Sequence, residues 1–315
     1  MKKFLKHTLL LTLLAGLVLT SLSTSHAQAT SHKFPIRGAS QPLAITMGAD
    51  GNFWFTLSNS NQVAKITPNG RISYFVTPTL SNPAYITLGP DGNVWFGEGS
   101  TGKIASITPA GVITEYQFSF FGVSVGITTG SDGNIWFSDQ TDSAVWRYNL
   151  STGSFTEFHL PTSNSFPGDM TLGADGNIWV TEQAVDKYAR VTPDGVITEF
   201  TGLSAPGSIA AGSDGNLWIT SAFLPQVARV NPTTLATTIF PIPSPASNIR
   251  PGNRNNLLFT EFAVNKIASI TTDGVVTESV EFVHSEPTGI TAGVGNRVWF
   301  LGFGNNRVYE TFVPR

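Results

Sequence analysis

The chain has 315 residues, of which 12% are charged, with 31 Gly, 19 Pro, no Cys and a formal net charge of -3. A weakly acidic balance without a run of Lys or Arg offers no means of releasing counterions from a polyanion, which argues against nucleic acid as a partner. The absence of Cys excludes disulfides and a cysteine-linked lipid, and low charge with abundant Gly points to a sheet-rich, turn-rich chain held together by burial alone.

The first element is a targeting segment. Lys2, Lys3 and Lys6 precede an apolar run from Thr8 to Leu22, followed by small residues at Ala27 and Ala29. This order of positive, apolar and small residues predicts a signal peptide over 1–29, cleaved after Ala29, and hence a secreted or periplasmic protein. No second apolar stretch approaches the length of a membrane span.

From there to the C-terminus the sequence repeats. GADGNFWFTL (48–57) returns as GPDGNVWFGE (89–98), GSDGNIWFSD (130–139), GADGNIWVTE (173–182) and GSDGNLWITS (212–221), with weaker copies GNRNNLLFTE (252–261) and GVGNRVWFLG (293–302). The anchors Trp54, Trp95, Trp136, Trp179, Trp218, Leu258 and Trp299 define seven repeats of about 41 residues. Each repeat reads as four short strands rich in Ile, Val, Thr and aromatics, punctuated by Asp-Gly and Pro-x-Gly turns. Seven such units predict an all-β, seven-bladed β-propeller with four antiparallel strands per blade. The blades are expected near 42–82, 83–122, 123–166, 167–205, 206–246, 247–286 and 287–315, within one domain spanning 30–315. The last repeat supplies only three strands, and the segment from His32 to Pro42 is expected to complete it, closing the ring and removing its open edges.

The Trp positions are expected to pack between blades, Leu258 indicating a need for bulk. The turn carboxylates Asp50, Asp91, Asp132, Asp175 and Asp214 are read as turn formers, because the dense oxygen donors that calcium requires are missing around them. Three residues past each anchor stand Leu57, Glu98, Asp139, Glu182, Ser221, Glu261 and Gly302. With strand polarity fixed, these positions are expected at one mouth of the central channel, where four acids offer a cation site or a docking surface for a positively charged ligand, or are simply wet strand ends. Tyr85, Asp169 and Asn248 are expected to add polar lining there. Phe118, Phe120 and Phe121 either cap an apolar ligand or pack between blades. Of the three His beyond the leader, His32 is placed in a frayed N-terminus, His159 on an outer strand, and His284 in the loop entering the last blade.

The spacing, with the segments LFTEFAVNKIASITTDGVVTE (258–278) and SEPTGITAG (285–293), resembles the virginiamycin B lyase family over nearly the whole mature chain. The resemblance implies an elimination that opens a cyclic depsipeptide: a base removes the proton α to a carbonyl, a magnesium ion stabilises the enolate-like charge, and the ester oxygen leaves. It also implies a catalytic His and a metal-binding Glu from a Glu-Pro-His sequence, a second Glu past the last Trp, a His opening blade six and an aromatic hydroxyl on blade one. Glu286 and Pro287 match that pattern. Thr288 occupies the catalytic His position, Phe303 the second carboxylate, Ser247 the other His and Leu43 the aromatic hydroxyl.

Two readings follow. The first is a non-catalytic propeller that binds a small molecule or an extracellular protein on one face and acts as a monomer. The alternative is a magnesium-dependent carbon-oxygen lyase whose groups have moved to Glu286 as a metal ligand, His284 as a base, and the arc of Glu98, Asp139 and Glu182. A calcium-dependent lactonase-like propeller is a weaker third reading, since its ligands have no clear positions here.

Overall fold

Why a turn-rich chain of this composition closes into a ring is visible in its recurring ten-residue motif. A computed structural model describes residues 31–38, 40–99, 101–120 and 122–312. The expected signal peptide therefore lies outside the described residues, as does Phe121. The described residues form seven four-stranded sheets. They contain no α-helix, only single 3-10 turns at Ser58–Ser60, Gln183–Val185 and Phe262–Val264.

The inner strands are Pro42–Met47, Pro83–Leu88, Ser124–Thr129, Pro167–Leu172, Pro206–Ala211, Asn248–Pro251 and Pro287–Ala292. In six blades the remaining three strands follow in sequence order outward. In blade seven the outer strand is His32–Pro35, which pairs antiparallel with Arg307–Phe312 and closes the ring as expected. Phe34 on that strand stacks on Trp299 with ring centroids 5.7 Å apart, so closure is held by aromatic burial as well as by ladder hydrogen bonds. His32 is not frayed: it lies within this strand, and its Nδ1 is 2.7 Å from Glu310 Oε2. The strand ladder and the Glu310 contact fix a residue whose terminal position suggested disorder.

The Asp-Gly-Asn-x-Trp string does more than turn the chain. Gly51 adopts φ 72°, the left-handed conformation a tight hairpin needs. Asp50 Oδ1 then accepts both the Asn52 backbone N–H and the Trp54 indole N–H, the latter at 3.1 Å. The same indole contact recurs from Trp95 to Asp91, Trp136 to Asp132, Trp179 to Asp175 and Trp218 to Asp214, at 3.0–3.2 Å. Each turn carboxylate thus satisfies the one polar atom of an indole that is otherwise fully packed, which removes the penalty of burying that N–H. Each Trp reaches the next blade: Trp54 packs on Ile86 and Val94, Trp136 on Met170 and Ile178, and Trp299 on Ile45 and Phe53. Leu258 serves the same role against Ile290 and Val298.

Candidate functional site

The mouth of the channel is built from a bulge. Register slips between the first and fourth residues of the inner strand in blades one to five and seven, for example between Pro42 and Ile45. A bulge leaves backbone groups without ladder partners, and hydroxyls on the second strand take them up. Ser138 Oγ accepts from Gly126 N and donates to Gly168 O of the next blade, both at 2.8 Å. Thr181 reaches Gly207 O, and Thr260 reaches Thr288 O, in the same way. The inner strands are therefore stitched blade to blade just below the mouth, giving a rigid platform for the side chains above.

On that platform Leu43, Ala44, Tyr85, Ser247, Asn248 and Thr288 line a pocket of about 170 Å³. Three of these are the positions where the family resemblance implies an aromatic hydroxyl and two imidazoles, so the pocket stands where the family's reaction centre is expected. Its lining contains hydroxyls, one amide and apolar carbons, and no group that takes up a proton near neutral pH. Thr288 Oγ1 donates to Pro42 O at 2.9 Å, tying blade seven to blade one. Burial, with the nearby Asp169 charge, pushes the Tyr85 phenol up to about 12, although Arg250 pulls the other way. Tyr85 therefore remains a neutral donor and acceptor.

Tyr85 and Asn248 line this pocket; Asp169 does not. Asp169 is buried and forms an ion pair with Arg250 at 2.8 Å, while Ser208 Oγ donates to it at 2.5 Å and Ile209 N at 3.2 Å. Arg250 also donates to Ile249 O. The pair joins blade four to blade six across the inner strand of blade five, within the channel. Arg250 was not among the expected site residues, but its signal is present in the sequence: at its position the other inner strands carry Thr46, Thr87, Thr128, Thr171, Ala210 and Thr291, which with Arg250 line the channel beyond the mouth. One guanidinium in a ring of small residues is a partly buried cation that calls for a carboxylate.

The four acids past the anchors do not stand at a wet rim. Glu98, Asp139, Glu182 and Glu261 are fully buried, each at 0% exposure, inside four separate blades. In blades two, four and six a Lys on the third strand holds a Glu on the outer strand: Lys103 to Glu115 and Lys187 to Glu199 at 2.6 Å, Lys266 to Glu278 at 3.0 Å. The outer carboxylate uses the cation directly, and the inner one is left with oxygens that lack hydrogen-bond partners among the described residues. Burial, reinforced by the charge of Glu115 or Glu199, pushes Glu98 and Glu182 up to about 7. Burial and Glu278 drive Glu261 upward as well. Asp139 is raised by burial, partly offset by hydrogen bonds from the Val123 and Thr141 backbones. The expectation of an exposed acidic arc fails because the second strands that carry these side chains are buried on both faces up to and including their last residue.

Around the entry to blade seven, His284 is exposed and has no strongly acidic cluster beside it. His284 and Glu286 adopt φ 56° and 45°, so the loop is bent sharply at both residues. Glu286 N is fixed by Asn265 Oδ1 at 2.9 Å. Phe303, at the second carboxylate position, lies beside Phe262 with centroids 6.1 Å apart. Among the described residues no three His, Asp or Glu side chains converge on a metal-sized space. One carboxylate, with a phenyl ring at the position of the second, is a poor donor set for magnesium, which demands several oxygens in octahedral order. Glu98, Asp139 and Glu182 are not brought to Glu286 or His284. Of the aromatic trio, Phe118 packs against Phe137 and Trp146, with centroids 4.7 and 5.3 Å away, while Phe120 is exposed. His159 ends an outer strand as expected and is exposed.

The comparisons with known proteins agree with this architecture. The model of the virginiamycin B lyase family matches residues 29–311. A streptogramin B lyase structure superposes with a TM-score of 0.85 at 28% identity, covering 91% of this chain and 98% of that one. A catalytically inactive His-to-Ala variant of virginiamycin B lyase from Staphylococcus aureus with quinupristin also superposes with a TM-score of 0.85, at 29% identity over 91% of this chain and 100% of that one. The extracellular domain of a hybrid two-component system from B. thetaiotaomicron shares the fold alone, at 14% identity and a TM-score of 0.69, over 90% of this chain and 43% of that one. Among curated protein sequences none matches the chain. Repeat, ring closure and family match converge: the chain belongs to the virginiamycin B lyase family.

Proposed function

We propose that this chain is an exported, ligand-binding member of its family that does not carry out the family's elimination. The observation that carries the reading is the composition of the mouth pocket. At the position of the expected base stands Thr288, whose hydroxyl is already engaged by Pro42 O and has no basicity near neutral pH. The S. aureus relative supports the need for a His in the family's reaction, since a single His-to-Ala change accompanies its catalytic inactivity.

What the pocket offers instead is recognition. Tyr85, Ser247 and Asn248 present neutral hydrogen-bonding groups beside the apolar Leu43 and Ala44. That lining suits an uncharged ligand with carbonyl acceptors and a small apolar body, either free or displayed on an extracellular protein. Export rests on the Lys-rich, apolar and small-residue order of the leader. The relocated-lyase reading has no comparable support, because Glu98, Asp139 and Glu182 are buried in blades two to four, away from His284 and Glu286 at the entry to blade seven.

The test is incubation of the purified chain with a streptogramin B depsipeptide and magnesium, followed by chromatography with mass detection. Elimination leaves the mass unchanged and shifts retention, whereas hydrolysis adds water. The expected result is unaltered peptide with or without magnesium. Appearance of the ring-opened isomer at a rate proportional to protein concentration overturns the proposal.

A further inference from the structure

At six of the seven blade seams, a stacked pair of rings fills the space between neighbours. An indole on the second strand lies against a ring on the outer strand: Trp54 with Phe75, Trp95 with Tyr116, Trp136 with Phe158, Trp179 with Phe200, Trp218 with Phe240 and Trp299 with Phe34, at centroid distances of 5.1–5.7 Å. Four of the outer rings also sit on a turn glycine of the following blade, Phe34 on Gly70, Phe75 on Gly111, Phe158 on Gly195 and Phe240 on Gly274.

Blade six breaks this rule twice. Its anchor is Leu258, and Ser279 stands opposite Ile267 where Phe240 stands opposite Val227 in blade five. The facing blade lacks the turn as well, because its third and outer strands, Arg307–Phe312 and His32–Pro35, come from opposite parts of the chain. The result is a groove of about 260 Å³ between blades six and seven, floored by Leu258, Ser269 and Ala292. It lies toward the opposite ends of the strands that carry Asn248 and Thr288, and is separate from the mouth pocket.

Two guanidinium groups flank the groove. Arg297 is paired with Glu310, whereas Arg254 is exposed and forms no ion pair among the described residues. The rim is held in place by Asn253 Nδ2, which donates to Gly293 O and Gly295 O across the seam. A protein cavity of roughly 150 Å³ accepts benzene, so this groove has room for a bicyclic ring, and a fixed rim reduces the ordering cost of binding.

We propose that the seam between blades six and seven is a second binding site, for a planar aromatic ring bearing an anionic group. The ring takes the space that the indole and its stacking partner occupy elsewhere, and the anion meets Arg254. The proposal is independent of the mouth pocket.

Indole-3-acetate and neutral indole are the probes, titrated calorimetrically into the full mature chain. Indole-3-acetate is expected to bind one to one. Leu258→Trp, which restores the indole, is expected to weaken that binding at least tenfold. Ala292→Leu fills the same space from the facing blade and is expected to do likewise if the first variant does not fold. Arg254→Ala is expected to weaken indole-3-acetate about tenfold and indole less than twofold. Absence of saturable binding by either probe overturns the proposal, as does unchanged affinity in a folded Leu258→Trp variant. A chain ending at Phe312, whose cross-strand partner Arg297 lines the groove, separates the remaining case: if only this shortened chain binds the probes, residues 313–315 are the occupant and the proposal fails.

Discussion

Arg250 Nη1 lies 2.8 Å from Asp169 Oδ2, and this one contact couples blade four to blade six within the channel. Asp169 is buried, while part of the Arg250 side chain is open to solvent, so the carboxylate depends on the cation more than the reverse. Removing one member of a buried pair leaves an uncompensated charge, whereas replacing both leaves none. Arg250→Met is therefore expected to cost about 3 kcal/mol. The double replacement Arg250→Met with Asp169→Asn is expected to recover most of that loss. Denaturant unfolding of the four forms measures the coupling, and additive effects show that the pair is not a unit.

The buried glutamates set a pH dependence with a definite sign. Glu98 and Glu182 are raised from 4.5 to about 7, so between those values the folded chain binds more protons than the unfolded one, and stability falls as pH rises through the window. Glu115 and Glu199 are lowered, chiefly by bonds from Lys103, Thr79, Lys187 and Thr162 set against burial. Their contribution is present above 4.5 and lost as pH falls through their folded values. Opposite slopes on the two sides place maximum stability near pH 5. Calorimetry is expected to show a Tm several degrees higher at pH 5 than at pH 8. Glu98→Gln and Glu182→Gln are expected to flatten the slope and raise Tm at pH 8 by about 2–4 °C each. A Tm that climbs steadily from pH 5 to pH 8 contradicts this assignment.

Much of the fold is legible in the sequence because the signal is repeated. A single GADGNIWVTE string is an ambiguous hairpin, but several related strings at constant spacing define blade number, strand polarity and the need for the N-terminal strand. The site is less legible, for physical reasons that particular residues show. Glu98 and Glu182 occupy positions that begin at a channel mouth in one dimension and end between sheets in three, since the second strand of each blade is buried on both faces along its whole length and the alternation of side chains leaves no residue of it exposed. Asp169 reads as channel lining until Arg250, distant in sequence, engages it. The pocket residues Tyr85, Asn248 and Thr288 are recoverable because each lies within the first three residues of an inner strand. The groove beside Leu258 arises from the absence of two rings and a turn, and an absence becomes visible only when the packing of the other seams is known.

Closure through Phe34 makes a further prediction about the ring. Phe34 stacks on Trp299 and rests on Gly70, so it joins blade seven to both itself and blade one. Phe34→Ala removes a partly buried ring from that junction and is expected to cost about 2–3 kcal/mol, below the full-burial range for such a truncation. Gly70→Ala places a Cβ against the Phe34 ring at a position with φ 86°, and is expected to destabilise by a similar amount through strain. Since both changes act on one contact, their effects are expected to be less than additive, measurable by a double-mutant cycle in urea.

The mouth pocket predicts how much is needed to convert binding into chemistry. Thr288→His places an imidazole at the expected base position, but proton removal next to a carbonyl also requires stabilisation of the enolate-like charge. In this chain the metal side offers only Glu286, with Phe303 turned toward Phe262. Thr288→His alone is therefore expected to leave a streptogramin B depsipeptide intact in the presence of magnesium. Adding Phe303→Glu supplies a second carboxylate, and Ser247→His a second imidazole among the residues that line the pocket with Thr288. The triple variant is expected to show magnesium-dependent ring opening, lost on addition of a chelator. Turnover by Thr288→His alone shows that the base was the single missing group. Failure of the triple variant to bind magnesium calorimetrically shows instead that the backbone of the blade-seven entry loop, bent at His284 and Glu286, has moved away from the geometry a cation requires.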